Sequence, residues 1–520
     1  MKGRVNAAPG TPTAPAPRSS RLPLAFALAF FGLQLTALTA YGWFRDELYY
    51  VVCARHLTWG FVDEPPLSIA VLSLVTRTLG EELWAIRLVP ALAVALAVYL
   101  TGALARRLGG GAFAQGLACL AAAATPVFIA EGHYFSMNAF DILLWALAAH
   151  ALLTALESGL PRDWALLGVV IGLGLLNKIS MMWFGFGLVA GLVLTPHRRA
   201  LLSPWPWLAA AVAGAMFLPH VAWQSAHGWP TLEFMRNATS RKMVAVSPLA
   251  FVLGQLFDLG PGNAPVWLAG LGFALFAPAG RRHRILAWIF LAVALLLLVN
   301  GKSRASYLAV AYPMLYALGG VAIARAAARR PWGWLKPATV AVTLGLGLVA
   351  LPFALPLLPV DTFIAYQKAL GRAPKTEERT DVGPLPQQYA DMSGWDTMVA
   401  KVAEAYARLT PAERARARVF GQNYGEAAAV DVLGRKLGLP AALCGHNNYW
   451  LWGPGDWDGS VLIIIGGDRP DNAAFFENVE IVGTVDAPHA MPYERGLDVS
   501  IGRRLKESPE RIWPRLKLFI

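Results

Sequence analysis

The chain has 520 residues, of which 56% are hydrophobic and only 15% charged, with a formal net charge of +12. Several apolar runs are long enough to cross a bilayer as helices, which takes about 20 residues, so a soluble enzyme with a single anchor is excluded. A transmembrane β-barrel would show short alternating segments, and these runs do not alternate. The positive charge is not a nucleic-acid footprint. Arg106 and Arg107, Arg198 and Arg199, Arg281, Arg282 and Arg284, and then Arg325, Arg329, Arg330 and Lys336 cluster in short loops between apolar runs, which is the positive-inside pattern of a membrane protein.

In chain order, residues 1–22 are Pro/Ala-rich and basic and read as a disordered cytoplasmic tail. The apolar run after them is long and lacks a good small-residue cleavage site, so it reads as an uncleaved first helix. Membrane helices are expected near 23–42, 84–104, 112–130, 138–156, 164–177, 180–195, 205–223, 263–279, 285–300, 305–323 and 337–358. The apolar residues 244–258 add a further or re-entrant helix. The fold class is thus an all-α polytopic membrane domain of about 11 to 13 helices over residues 23–359. With the N-terminus inside, the basic loops fall in the cytoplasm. The opposite loops carry Asp46, Glu47, Asp63, Glu64, Glu81, Glu82, Glu131, Asp141, Glu233 and Asp258. An odd number of crossings then places the C-terminal part outside.

Within the first outer loop, DELYYVVCARHLTWG can form a short helix with an apolar face. PPLSIAVLSLVTRTLG is too interrupted to span easily and reads as interfacial. Charged residues return over residues 360–520. There ARVFGQ, AALCG, SVLIIIGG and EIVGTVDA read as strands, and YGEAAAVDVLGRKLG and DNAAFFENV as helices. Strands alternating with helices predict a small α/β domain with a largely parallel sheet. Gly466-Gly467 lacks the G-x-G-x-x-G of a nucleotide loop. Cys53, Cys119 and Cys444 show no zinc or redox spacing and read as packing residues, with a Cys53–Cys444 disulfide as the alternative.

Charges at the membrane are the candidates for chemistry, since a carboxylate within a span costs about 2.5–3.5 kcal/mol on insertion scales. Asp46 and Glu47 are expected to end the first helix. Glu131, His133 and Asp141 flank the turn between the third and fourth helices, and Lys178 interrupts the fifth and sixth. Lys302 and Arg304 fall between the ninth and tenth, and Arg241 and Lys242 lie in a large outer loop. Each alone reads equally well as a solvated juxtamembrane charge. Together, acids and bases on one membrane face suggest a site that handles an anionic lipid headgroup and moves a proton. A carboxylate can deprotonate a hydroxyl or amine attacking a sugar C1, and cations can stabilise a departing phosphate.

RDELYYVVCARHLTWGFVDEPPL, at residues 45–67, resembles the first outer loop of polyprenyl-phosphate-sugar glycosyltransferases of the GT-C fold, the protein O-mannosyltransferase and aminoarabinose transferase relatives. FDILLWAL, GLGLLNKISMM, HGWPTLEFMRNATSRKM, SRASYLAVAYPMLYA, NYGEAAAVDVLG and GHNNYWLWGPG continue the resemblance over most of the chain. The resemblance implies Asp46 as catalytic base with Glu47 its motif partner, and Asp141 as a second acid shaping the site. It matches Arg304 and Lys178 to cationic positions and places Tyr49 with the substrate-binding residues. Relatives often carry Lys or His just before Pro-Pro-Leu, where this chain has Glu64. The phosphate contact must then come from Arg304, Lys302, Arg241, Lys242 or Lys178.

The implied activity is inverting transfer of a sugar from a polyprenyl monophosphate carrier to a protein, glycolipid or polysaccharide acceptor at the periplasmic face of a bacterial inner membrane. Membrane lipid is the other expected partner, with no nucleic acid. A transporter or flippase, or a non-catalytic binder of a lipid-linked sugar, is the alternative; no internal repeat of the transporter kind is evident. No cofactor or metal is called for, because no DxD-type cluster stands in an outer loop and the histidines are scattered. His133 and His446 read as structural.

Overall fold

A computed structural model describes residues 21–520, so residues 1–20 of the expected tail lie outside the described residues. Helices stand at every expected span. Six are long and apolar enough to cross a membrane: α4 (Leu83–Arg107), α7 (Met137–Ser158), α10 (Trp205–Ala226), and the helical stretches Pro278–Asn300, Ala305–Ala327 and Trp332–Ala354. The pair α5 (Ala112–Ala123) and α6 (Pro126–His133), bent by 62°, makes a seventh if it is one span. The remaining apolar helices are shorter. They include α1 (Arg21–Leu35), α8 (Pro161–Asn177), α9 (Met181–Val193) and the segment Ala264–Phe276. α8 and α9 are cut from one another at Lys178, where a cation terminates the apolar run.

Packing among these helices relies on small residues, because lipid supplies no hydrophobic drive between apolar surfaces. The helix Tyr312–Ala327 meets Ala264–Phe276 at Gly319, where an added Cβ would stand 1.9 Å from the Val266 carbonyl oxygen. Only glycine permits that approach. α4 forms the hub, packing on α1, α5, α6, α7 and Tyr312–Ala327.

The first helix ends at Leu35, earlier than the expected 42, and gives way to turns. Asp46 and Glu47 therefore do not end it. They sit in the first turn of a separate helix, α2 (Arg45–Arg55), followed by α3 (Leu67–Leu79). Acids in a first turn complement the helix dipole, and the Phe44 backbone N–H donates to Glu47 Oε2 at 3.0 Å. α2 is wrapped on nearly all sides, with Leu48, Val51, Val52 and Cys53 all but inaccessible. Each such buried side chain is worth about 1.5–3 kcal/mol.

The partner of α2 is the C-terminal region. Five strands, β1 (Arg418–Phe420), β2 (Ala442–Leu443), β3 (Val461–Ile465), β4 (Phe476–Thr484) and β5 (Asp498–Leu505), form a sheet in the order β2-β1-β3-β5-β4. The β2-β1 and β1-β3 pairs are parallel; β3-β5 and β5-β4 are antiparallel. The sheet is thus mixed, not largely parallel as expected. β5 escaped the sequence reading, and it returns to β4 through a loop with no crossover helix between them. Alternate residues of β3 face opposite cores. Val461, Ile463 and Ile465 join one that includes α2 and the helix Tyr424–Val432, and Leu462 and Ile464 join another around Trp457 and Trp513. Cys53, Cys119 and Cys444 are buried and free, so no Cys53–Cys444 disulfide is present.

Candidate active site

Consecutive residues on an α-helix point about 100° apart, and α2 uses that angle to give Asp46 and Glu47 different surroundings. Glu47 is fully buried. Its carboxylate accepts from Arg87 Nε at 2.9 Å and Nη2 at 2.8 Å, and from the Phe135 backbone N–H at 2.8 Å. Arg87, on α4, is equally buried. It also donates to the carbonyls of Leu38 (3.1 Å) and Gly42 (2.6 Å), and its Nη1 lies 3.2 Å from His133 Nε2. The chain reversal at Tyr41 and Gly42, with φ of 61° and 86°, aims that last carbonyl inward. The pair therefore clamps α1, α2, α4 and the α6–α7 turn together, and leaves Glu47 no face toward a ligand.

Asp46 is 29% exposed at its side chain. It accepts a hydrogen bond from the Tyr424 hydroxyl at 2.8 Å, reaching across from the C-terminal region, and Arg45 Nε lies 3.5 Å away. Arg45 is held in turn by the Tyr493 hydroxyl at 2.5 Å and by Asp391 at 3.6 Å. Burial pushes Asp391 up to about 6, against the opposing pull of Arg45. Nearby, Asp63 accepts from the Tyr49 hydroxyl at 3.1 Å and from Asn447 and Asn448 at 3.4 Å. Burial raises Asp63 to about 7; Asp46 adds to the rise and Lys242 opposes it. Tyr49 is buried and occupied by Asp63 and Asn448. Glu64 is buried, accepts weakly from Ser68 at 3.3 Å, and leaves Oε1 without a partner. Burial, and next the adjacent Asp63, push its carboxyl well above the usual carboxylate range.

The candidate cations separate. Arg304 and Lys242 meet at one place: Arg304 lies 3.1 Å from Glu377 and 3.2 Å from Glu378, and Lys242 lies 3.4 Å from Glu378. Asp46, Lys242 and Arg45 are close enough to act on Asp391, and Lys242, Arg45 and Arg304 on Glu378. Lys178 donates to Asn138 at 2.6 Å, lies 3.8 Å from Asp141, and stands over the Tyr307 ring at 5.5 Å. Tyr307 is also within the field of Arg304, so Lys178 borders the cluster from the α8–α9 break. Asp141 is buried, accepting from Ser180 at 2.7 Å. Lys302 donates to the Thr239 carbonyl at 2.9 Å, in the segment that also carries Lys242, and Arg241 is exposed.

The structure thus brings Arg304 and Lys242 to one carboxylate and leaves Asp46 linked to Lys242 through Asp391, with Lys178 and Asp141 at the border. Glu47 is instead taken up by Arg87, and Lys302 by the Thr239 carbonyl. Several members escaped the sequence reading. Tyr424 lies in the quoted NYGEAAAVDVLG, but nothing local marks its hydroxyl for Asp46. Arg87 did carry a signal, a lone cation inside an apolar span. Arg45, Asp391, Glu377 and Glu378 carried none beyond charge. His446 Nε2 lies 2.9 Å from the Ile520 carbonyl oxygen. Among the described residues, no group of three or more His, Cys, Asp or Glu could hold a metal ion.

Comparison with known proteins supplies context for this arrangement. A family model described as dolichyl-phosphate-mannose-protein mannosyltransferase matches residues 63–223. An undecaprenyl phosphate-alpha-4-amino-4-deoxy-L-arabinose arabinosyl transferase of Pseudomonas paraeruginosa is 26% identical over 66% of this chain and 65% of its own length. The corresponding transferase of Pseudomonas aeruginosa is 28% identical over 38% of this chain and 41% of its own. The chain therefore matches less than two thirds of the length of these relatives. The crystal structure of ArnT from Cupriavidus metallidurans bound to undecaprenyl phosphate superimposes with a TM-score of 0.60 at 15% identity, covering 92% of this chain and 97% of that one. Its apo form gives 0.58 with the same coverage. The fold is that of the GT-C membrane proteins, with a small C-terminal sheet domain.

Proposed function

We propose that this multi-pass membrane protein is an inverting glycosyltransferase that moves a sugar from a polyprenyl monophosphate carrier to an acceptor hydroxyl or amine at the outer membrane face. The observation that carries this reading is the accessible Asp46 carboxylate, fixed by Tyr424 and sharing the neighbour Asp391 with Lys242 of the Arg304–Lys242 pair, in a fold shared with a protein crystallised with undecaprenyl phosphate. The names of the relatives, which specify undecaprenyl-phosphate aminoarabinose and dolichyl-phosphate mannose, support a lipid-phosphate donor.

Asp46 takes the acceptor proton as the acceptor attacks the sugar C1. The C1–phosphate bond breaks on the opposite side, so a single displacement inverts the anomeric centre. The electron pair goes to the phosphate oxygen, and Arg304 and Lys242 stabilise that charge. Arg304 offers a planar fork for two oxygens. Lys178 and Asp141 complete the border, while Glu47 positions α2 through Arg87. Tyr49 anchors the first loop through Asp63. The charge asymmetry of the loops supports an N-terminus in the cytoplasm and residues 360–520 as a domain outside it.

The test is turnover by purified protein in lipid nanodiscs. Labelled polyprenyl-phosphate sugar is supplied with glycolipid, peptide or polysaccharide acceptors. Release of polyprenyl phosphate in step with a glycosylated product of inverted anomeric configuration is expected. Movement of intact donor across the bilayer without its cleavage would place the chain with the flippases instead.

A further inference from the structure

The two cations assigned to the donor phosphate are already paired. Residues 371–386 join the helix Val360–Ala369 to Gln387–Ala390, and their middle part lies across residues 239–243 as a strap. Met243 and Glu378 form an antiparallel bridge. The Arg379 backbone N–H donates to the Lys242 carbonyl at 2.9 Å, and Arg379 Nη1 to the Ser240 carbonyl at 3.0 Å. Thr376 ties the strap to Gln387 at 2.6 Å and accepts from the Glu378 N–H at 3.0 Å.

This backbone anchoring delivers two carboxylates to the phosphate site. Glu377 and Glu378 both engage Arg304, and Glu378 also engages Lys242. Two carboxylates against two cations leave the site near neutral. Burial works to raise Glu378, yet Lys242, Arg45 and Arg304 together hold it below the usual carboxylate range. A phosphate entering beside fixed carboxylates would meet like charge at close range, and part-buried cations left without any anion would be costly. Exchange of one anion for another satisfies both constraints.

We propose that Glu377 and Glu378 are displaceable counter-ions of the donor-phosphate site. They hold Arg304 and Lys242 in the donor-free protein and yield them to the lipid phosphate on loading, so that the strap gates donor entry. This rests on the reading of Arg304 and Lys242 as phosphate ligands. Glu377, with 47% of its side chain exposed, moves aside freely; Glu378, at 12%, is the tighter competitor.

The experiment measures binding of a short-chain polyprenyl monophosphate, with inorganic phosphate as a second probe, to the full chain in nanodiscs. It compares wild type, Glu377→Gln, and Glu377→Gln/Glu378→Gln. Removing the competing pairs should tighten binding of the lipid by about three- to tenfold in the double variant. The exposed single variant, which leaves the strap hydrogen bonds intact, should show a smaller gain of the same sign. Inorganic phosphate should gain in parallel, because the competition is for charge and not for the chain. Unchanged or weaker lipid binding by the variants, with wild type binding normally, overturns the exchange and makes the two glutamates fixed supports of Arg304. Failure of wild type itself to bind the lipid phosphate instead removes the phosphate-site reading, and the strap proposal with it.

Discussion

Asp46 and Glu47 are neighbours on one helix turn, and the two sides of α2 treat them in opposite ways. On the Glu47 side, Arg87, the Phe135 N–H and the Phe44 N–H occupy the carboxylate, and water has no access. On the Asp46 side, one hydroxyl fixes the carboxylate, a cation stands 3.5 Å off, and part of the surface stays open. The same chemical group is a clamp in one setting and, in the proposed mechanism, a base in the other. A carboxylate with every lone pair filled has nothing left to offer a substrate, whereas one held through Oδ1 by a hydroxyl and a long contact to Arg45 keeps acceptor capacity for a proton.

If that division is right, Asp46→Asn should lower turnover by about 10²–10⁴-fold while leaving the thermal midpoint of the purified protein in place. Undiminished turnover would sink the assignment. Arg87→Met should do the reverse. It leaves Glu47 buried and unpaired, which costs about 3–5 kcal/mol, so thermal unfolding in detergent should fall sharply. The matched double change Glu47→Leu/Arg87→Met should recover much of the loss, and a double variant as unstable as the single would mean that the pair contributes net stability beyond charge balance.

Smaller effects sharpen the same contrast. Tyr424→Phe removes only the hydroxyl that fixes Asp46. A lost hydrogen bond of about 1 kcal/mol should appear as a roughly two- to tenfold drop in kcat with little change in stability. A drop as large as that of Asp46→Asn would mean that the hydroxyl itself takes part in proton transfer. The smallest effect concerns pH. Burial holds Asp63 at about 7, Glu494, a buried carboxylate of the loop between β4 and β5 that accepts from Asn423 at 2.8 Å, also at about 7, and Asp391 at about 6 in the folded protein. Their folded values exceed the unfolded ones, so the folded state binds more protons between about pH 4 and pH 7, and stability falls as pH rises through that window. The unfolding midpoint should therefore be a few degrees higher near pH 5.5 than near pH 8, and Glu494→Gln should flatten the slope. A rise with pH would contradict the burial of these three groups.

Much of the membrane domain was legible in advance. Each expected span holds a helix, because a run of apolar residues in lipid has few options other than hydrogen-bonding to itself. The strands at ARVFGQ, AALCG and SVLIIIGG were equally legible as short apolar runs bounded by glycine and alternating with helical segments. The first helix was extended too far because 36–42 remains apolar while the chain turns there, and β5 was missed because DVSIGRRL mixes charge with apolar residues. The direction of the strands was beyond local reading, since a loop of residues 485–497 can return either way.

The site divides along the same line. The sequence by itself determined the membrane class, the helix positions and the charge asymmetry of the loops, and singled out Asp46, Glu47, Arg304 and Lys178 as candidates. These follow from composition and period, which act over a few residues. Only the tertiary structure decided that Glu47 is spent on Arg87, that Tyr424 reaches Asp46 from 378 positions away, that Lys302 bonds the Thr239 carbonyl, and that Glu377 and Glu378 pair with Arg304 and Lys242. Which charges meet is set by how α2 lodges between the membrane helices and the C-terminal sheet, and the strength of a charge pair depends on separation and on exclusion of water, neither of which is written in any one segment of the chain.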